Sequence, residues 1–96
     1  MKSHSILQFR LYIVGDAPNS LLAVANLREF CRIHLPGRHQ FEIVDVLRFP
    51  KRALADRVYM TPTLIKLTPN PTRRVVGTLN QPEILLQAFG LVVLAA

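Results

Sequence analysis

Met60-Thr61-Pro62-Thr63-Leu64 sets a proline directly ahead of a short apolar run, Thr63 to Leu67, whose composition is that of a β-strand. Thr68-Pro69-Asn70-Pro71 then turns the chain, and Arg73 to Gly77 is a strand able to pair back as a hairpin. Beyond it, Pro82 suits the first position of a helix, with Gln81 before it and Gly90 near its end. Ile84, Leu85, Ala88 and Phe89 form the expected inner face of that helix. On the other side of the proline, Lys51 to Val58 has room for about two helical turns, and Arg48-Phe49-Pro50 separates it from what precedes.

The N-terminal half is patterned more simply. Leu7, Phe9, Leu11 and Ile13 alternate with Gln8, Arg10, Tyr12 and Val14, the period-two signature of a strand. Gly15-Asp16-Ala17-Pro18 interrupts it, and Asn19 or Ser20 is expected to cap the helix that follows. Val24, Leu27, Cys31 and Leu35 recur at helical spacing, and Pro36-Gly37 closes the helix. Phe41 to Leu47 is almost continuously apolar, which predicts a central strand covered on both faces. The resulting order, β-α-β-α-β-β-α, describes one α/β domain over residues 1–96 with a thioredoxin-like layout. In that fold a cis-proline commonly precedes the third strand, and Pro62 stands there.

Composition narrows the function classes. Half of the 96 residues are hydrophobic and 19% are charged, as in a globular chain. Ile84 to Ala96, the longest nearly charge-free apolar stretch, is shorter than the roughly 18 to 20 residues of a membrane span, and no signal-peptide run opens the chain, so a cytoplasmic protein is expected. The formal charge is +6, from twelve Lys+Arg against six Asp+Glu. The basic residues are scattered apart from Lys51-Arg52 and Arg73-Arg74, and aromatic stacking pairs are absent, which favours a protein partner over nucleic acid.

Catalytic chemistry finds little to work with. A thioredoxin-like enzyme needs a cysteine pair between the first strand and first helix, and Ala17-Pro18-Asn19-Ser20 occupies that place. Ser20 leaves open a hydrogen bond to a bound thiol such as glutathione, beside its reading as a capping residue. Cys31 is the only cysteine and sits on the apolar helix face. His4, His34 and His39 lack metal-ligand spacing, so no metal and no cofactor is expected. Asp45, inside an apolar strand, is expected either to pair with Lys66 or an arginine, or to mark an interaction edge.

Three blocks together resemble the KaiB circadian clock protein family: Leu11-Tyr12-Ile13-Val14-Gly15-Asp16-Ala17-Pro18-Asn19-Ser20; Ile43-Val44-Asp45-Val46-Leu47 followed by Pro50; and Thr61-Pro62-Thr63-Leu64 with Lys66, Pro69, Pro71 and Arg73-Arg74-Val75-Val76-Gly77. The resemblance runs from about Phe9 to Glu83. It implies a non-enzymatic regulator that binds the N-terminal ring of the ATPase KaiC, sequesters the activator KaiA and displaces a histidine kinase whose sensor domain is itself KaiB-like. It also implies two folds, a tetrameric ground state of order β-α-β-β-α-α-β and a thioredoxin-like monomer. By position it assigns partner contact to Arg57 on the second helix and to Lys66, Arg73 and Arg74 on the hairpin. The chain departs from the family pattern where Glu42 replaces a usual lysine, where Asn70 interrupts a proline run, and where an apolar tail replaces an acidic extension. Among the implied partners KaiA is the weakest inheritance, because many organisms with KaiB-like proteins lack it. A thiol-ligand protein of the thioredoxin superfamily and a detached histidine-kinase sensor module are the competing readings.

Overall fold

The computed structural model describes residues 6–91. Leu7–Ile13 forms β1, Pro18–His34 α1, His39–Asp45 β2, Pro50–Ala55 α2, Thr63–Thr68 β3, Arg73–Val76 β4 and Pro82–Ala88 α3. This is the thioredoxin-like order expected from the sequence, and not the ground-state order β-α-β-β-α-α-β. β1 pairs in parallel with β2 and antiparallel with β3, and β3 pairs antiparallel with β4, so the sheet runs β2-β1-β3-β4. The Thr61–Pro62 peptide bond is cis, as the proline ahead of β3 suggested; Thr68–Pro69 and Asn70–Pro71 are cis as well.

Each face of the sheet carries its own core, because alternate strand residues point to opposite sides. Leu7, Phe9, Leu11 and Leu64 pack with Ala23, Leu27, Phe30 and Cys31 of α1 and with Leu85 and Phe89 at α3. The Phe9 and Phe89 rings lie 5.0 Å apart between centroids, a tilted contact that aligns α3 with β1. On the other face Tyr12, Val44 and Ile65 pack with Ala53 of α2.

Three expectations are corrected. First, the apolar run Phe41 to Leu47 is an edge strand that ends at Asp45, and Leu47 is exposed. Its composition is nevertheless that of a covered strand, because Phe41 packs against the α1 side and Val44 against the α2 side. Second, neither Asn19 nor Ser20 caps α1. Ala17 is the N-cap without a side-chain bond, and Pro18, which has no N–H to satisfy, starts the helix. Third, Ile84 is half exposed, so of the four expected inward residues only Leu85, Ala88 and Phe89 pack against the core. The apolar tail beyond Leu91 falls outside the described residues, as does His4.

Candidate functional site

The segment from Leu47 to Met60, which contains α2, concentrates exposed apolar side chains. Leu47, Leu54 and Tyr59 are 70%, 71% and 80% exposed, and Phe49 and Met60 are also at the surface. Sheet burial leaves α2 only one inward residue, Ala53, because a helix of six residues has fewer than two turns to share between core and solvent. Tyr59, Met60, Val46 and Ala53 border a depression of about 200 Å³ beside Thr61. Arg48, Lys51 and Arg57 lie exposed along the same segment. Exposed apolar side chains gathered within one short segment, with basic neighbours, have the character of a protein-docking surface. Sequence reasoning read Lys51 to Val58 as a second helix and assigned only Arg57 of this segment to partner contact; the consecutive Tyr59-Met60 ahead of the cis proline was the available signal for the rest.

An ion-pair network underlies α2. Arg10 Nε donates to Glu42 Oε1 at 2.7 Å and Arg10 Nη1 to Asp56 Oδ2 at 2.9 Å, while Arg52 Nη2 donates to Glu42 Oε1 at 2.6 Å. The Tyr12 hydroxyl donates to Asp56 Oδ2 at 2.5 Å, with the Arg52 carbonyl oxygen 3.1 Å away. Hydrogen bonds from Arg52 and then Arg10 hold Glu42 below the usual carboxylate range. Burial pushes the Tyr12 phenol upward, and its bond to Asp56 adds to the rise. The departure at Glu42 thus has a local reason: a carboxylate there joins two guanidinium groups, one from the sheet and one from α2.

The four basic residues assigned to partner contact divide into two pairs on opposite sheet faces. Arg74 stands opposite Ile65, on the α2 side. Its guanidinium donates to the carbonyl oxygens of Asp56 and Arg57, the latter at 3.2 Å. Arg57 is not on α2: it follows the helix with φ 55, its N–H donating to Leu54 O at 3.0 Å. Lys66 stands opposite Arg73 on the α1–α3 side, next to Phe9. Lys66 is no solvated surface charge: it is 3% exposed, and its Nζ donates to Pro69 O at 2.7 Å.

The residues of the turn motifs are structural anchors. Asp45 pairs with neither Lys66 nor an arginine; its Oδ1 accepts the N–H of Gly15 at 3.1 Å and of Leu47 at 2.9 Å, tying the loop after β1 to the turn after β2. Gly15 adopts φ 48, a conformation that favours glycine. Ser20 is buried, and its Oγ accepts the Val14 N–H at 3.0 Å, so its side chain faces inward and not toward a surface ligand. Pro18 and Asn19 are exposed, and Pro62 is buried with its carbonyl accepting the Gly77 N–H at 2.9 Å. Burial pushes the Cys31 thiol up to about 11, away from nucleophilic range. Among the described residues no group of three or more His, Cys, Asp or Glu side chains is placed to hold a metal, and no helix is long and apolar enough to cross a membrane.

The fold is shared with proteins of widely different sequence. The N-terminal domain of SasA from Synechococcus elongatus superposes with a TM-score of 0.74 at 18% identity, over 94% of this chain and 89% of that one. The germline-specific thioredoxin Deadhead of Drosophila melanogaster gives 0.71 at 14% identity, over 93% and 83%. By sequence, a circadian clock oscillator protein KaiB of Prochlorococcus marinus is 39% identical over 77 residues, 80% of this chain and 66% of that protein's length. The circadian clock protein KaiB3 of a Synechocystis species is 39% identical over 83 residues, 86% and 81% of the two lengths. The KaiB domain model matches residues 10–91. These residues take in β1 from Arg10 onward and every later strand and helix of the described fold, and on that ground the chain belongs to the KaiB family.

Proposed function

We propose that this chain is a non-enzymatic regulator that docks on a KaiC-type ATPase in circadian or related timing control. The names of its sequence relatives support the clock setting. The observation that carries the docking mode is the exposed apolar segment Leu47 to Met60, with Arg57 held at its end by Arg74. Leu54 and Tyr59 supply the apolar anchors of such an interface, and Arg48, Lys51 and Arg57 supply the charge that steers an acidic partner surface. A histidine kinase carrying a similar sensor domain would compete for the same ATPase surface. Interconversion with a tetrameric ground-state fold belongs to the same proposal, the ATPase selecting the thioredoxin-like form through its differential affinity.

Calorimetry against a KaiC-type ATPase, with and without ATP, tests the reading. Binding of the unaltered chain and its loss in Leu54→Asp, at unchanged melting temperature, is the expected result. Absence of binding in both nucleotide states, or equal affinity of Leu54→Asp, would overturn it.

A further inference from the structure

Lys66 and Arg73 are direct partners across the antiparallel β3–β4 pair, and both point to the α1–α3 side of the sheet. Like charges directly opposite one another in a sheet repel, and a buried ammonium carries a large desolvation cost unless paired. Here neither cation has an acidic partner among the described residues. Lys66 has the carbonyl of Pro69. Arg73 has the carbonyl of its neighbour Thr72, at 3.4 Å. The ion pairs of the described residues involve Arg10, Arg32 and Arg52 instead.

The two cations border a cavity of about 400 Å³ between the hairpin turn and the C-terminal end of α3. Pro69, Asn70 and Pro71 form one wall, and Gln87, Phe89 and Gly90 belong to the other. The cavity has the size of a small-molecule site; Lys66, Asn70, Arg73 and Gln87 give it a polar side, and Pro69, Pro71, Ala88 and Phe89 an apolar one. Burial, with repulsion from Arg73 adding to it, holds Lys66 below the ordinary lysine range. That direction fits a site whose negative component is not supplied by the fold.

We propose that this cavity binds a compact oxyanion, a carboxylate or phosphate, between the Lys66 ammonium and the Arg73 guanidinium. Lys66 contributes a point charge at the cavity floor. Arg73, exposed at the rim, contributes a planar fork able to take two oxygens at once. The apolar walls would accept a short carbon skeleton attached to the anion. The oxyanion is a free, metabolite-sized ligand; an acidic side chain presented by a protein, the contact the family resemblance already assigns to Lys66 and Arg73, is the outcome the test separates from it. The site lies on the sheet face opposite α2, so it stands apart from the ATPase-docking reading and is testable on the isolated chain.

The test is an NMR titration of the full chain with inorganic phosphate, with succinate and with a capped acidic tripeptide, at constant ionic strength. Saturable shifts confined to residues 66–73 and 87–90 are expected. Lys66→Met and Arg73→Gln should each weaken the affinity by about tenfold, the effect of losing one charge-assisted hydrogen bond. In parallel, Lys66→Met should raise the melting temperature without ligand and reduce its increase on adding ligand. Tighter binding of phosphate or succinate assigns a free ligand, and tighter binding of the peptide assigns an acidic side chain. Shifts spread over all basic residues, or affinity unchanged in both variants, would overturn the site.

Discussion

Arg74 on β4 donates from Nη1 to the carbonyl oxygen of Arg57, 17 residues earlier in the chain, at 3.2 Å. A second bond from the same guanidinium reaches the Asp56 carbonyl oxygen. One side chain therefore fastens the end of α2 to the edge of the sheet. Its neighbour Arg73 faces the other side, so adjacent arginines serve different surfaces.

Separate substitutions should reveal this division. Arg74→Ala is expected to lower stability by about 1 kcal/mol, the net value of such bonds, and to weaken ATPase binding by releasing Arg57. Arg73→Ala should leave stability within about 0.5 kcal/mol, as for other surface changes. Urea unfolding with calorimetry at two salt concentrations checks both. Equal losses of stability from the two substitutions would contradict the assignment.

Asp45→Ala should destabilise the fold by about 2 kcal/mol, since one carboxylate oxygen satisfies two backbone amides. Asp45→Asn, which keeps an acceptor oxygen, should cost less than half of that. The urea midpoints of the two variants, at equal slope, provide the comparison.

Acid should weaken the α2 network. Glu42 lies below its ordinary value through its bonds from Arg52 and Arg10. At Asp56 burial pushes upward, but the bonds from Tyr12 and Arg10 outweigh it, and the net shift is downward. A carboxylate lowered in the folded state stabilises fully above its unfolded value and loses that contribution as pH falls through its folded value. The urea midpoint attributable to this network should therefore be flat above about pH 5 and fall at lower pH. Partial exposure of both groups keeps the effect small. Asp56→Asn and Glu42→Gln should each flatten the acid limb. Glu42→Lys, by placing a third cation beside Arg10 and Arg52, should destabilise at neutral pH.

Cys31 should resist alkylation. Its thiol is fully buried and raised to about 11, so iodoacetamide at about pH 8 meets almost no thiolate in the folded chain. Mass spectrometry should find modification only after urea is added, and insulin reduction should stay at the reagent background. Rapid labelling without denaturant would show that α1 opens locally.

The proposed exchange of folds predicts an average mass that falls on dilution toward the monomer. Light scattering across a concentration series, with backbone NMR of residues 50–91, reads both quantities. One set of thioredoxin-like resonances at monomer mass throughout would show that this chain does not switch.

Local pattern alone determined the seven elements and their order, because β1 alternates, α1 buries one face at helical spacing, β3 is a short apolar run, and Pro18, Pro50, Pro62 and Pro82 punctuate the chain. The inert placement of Cys31 was legible for the same reason, from its position on the apolar face of α1, whereas the cis proline ahead of β3 followed from the likeness to a thioredoxin-like layout. What depends on partners across the sheet was not. Only the tertiary structure made the apolar β2 an edge strand: α1 and α2 cover its two faces, as its composition requires, but it pairs on one side only, with β1. It also turned Asp45 toward two amides and Ser20 toward Val14, contacts that need the strand ends to converge. The basic residues differ most. As a sequence, Lys66, Arg73 and Arg74 are one charged hairpin. Strand alternation sends Arg74 toward α2 and leaves Lys66 facing Arg73, and the end of α3 leaves a cavity beside that second pair.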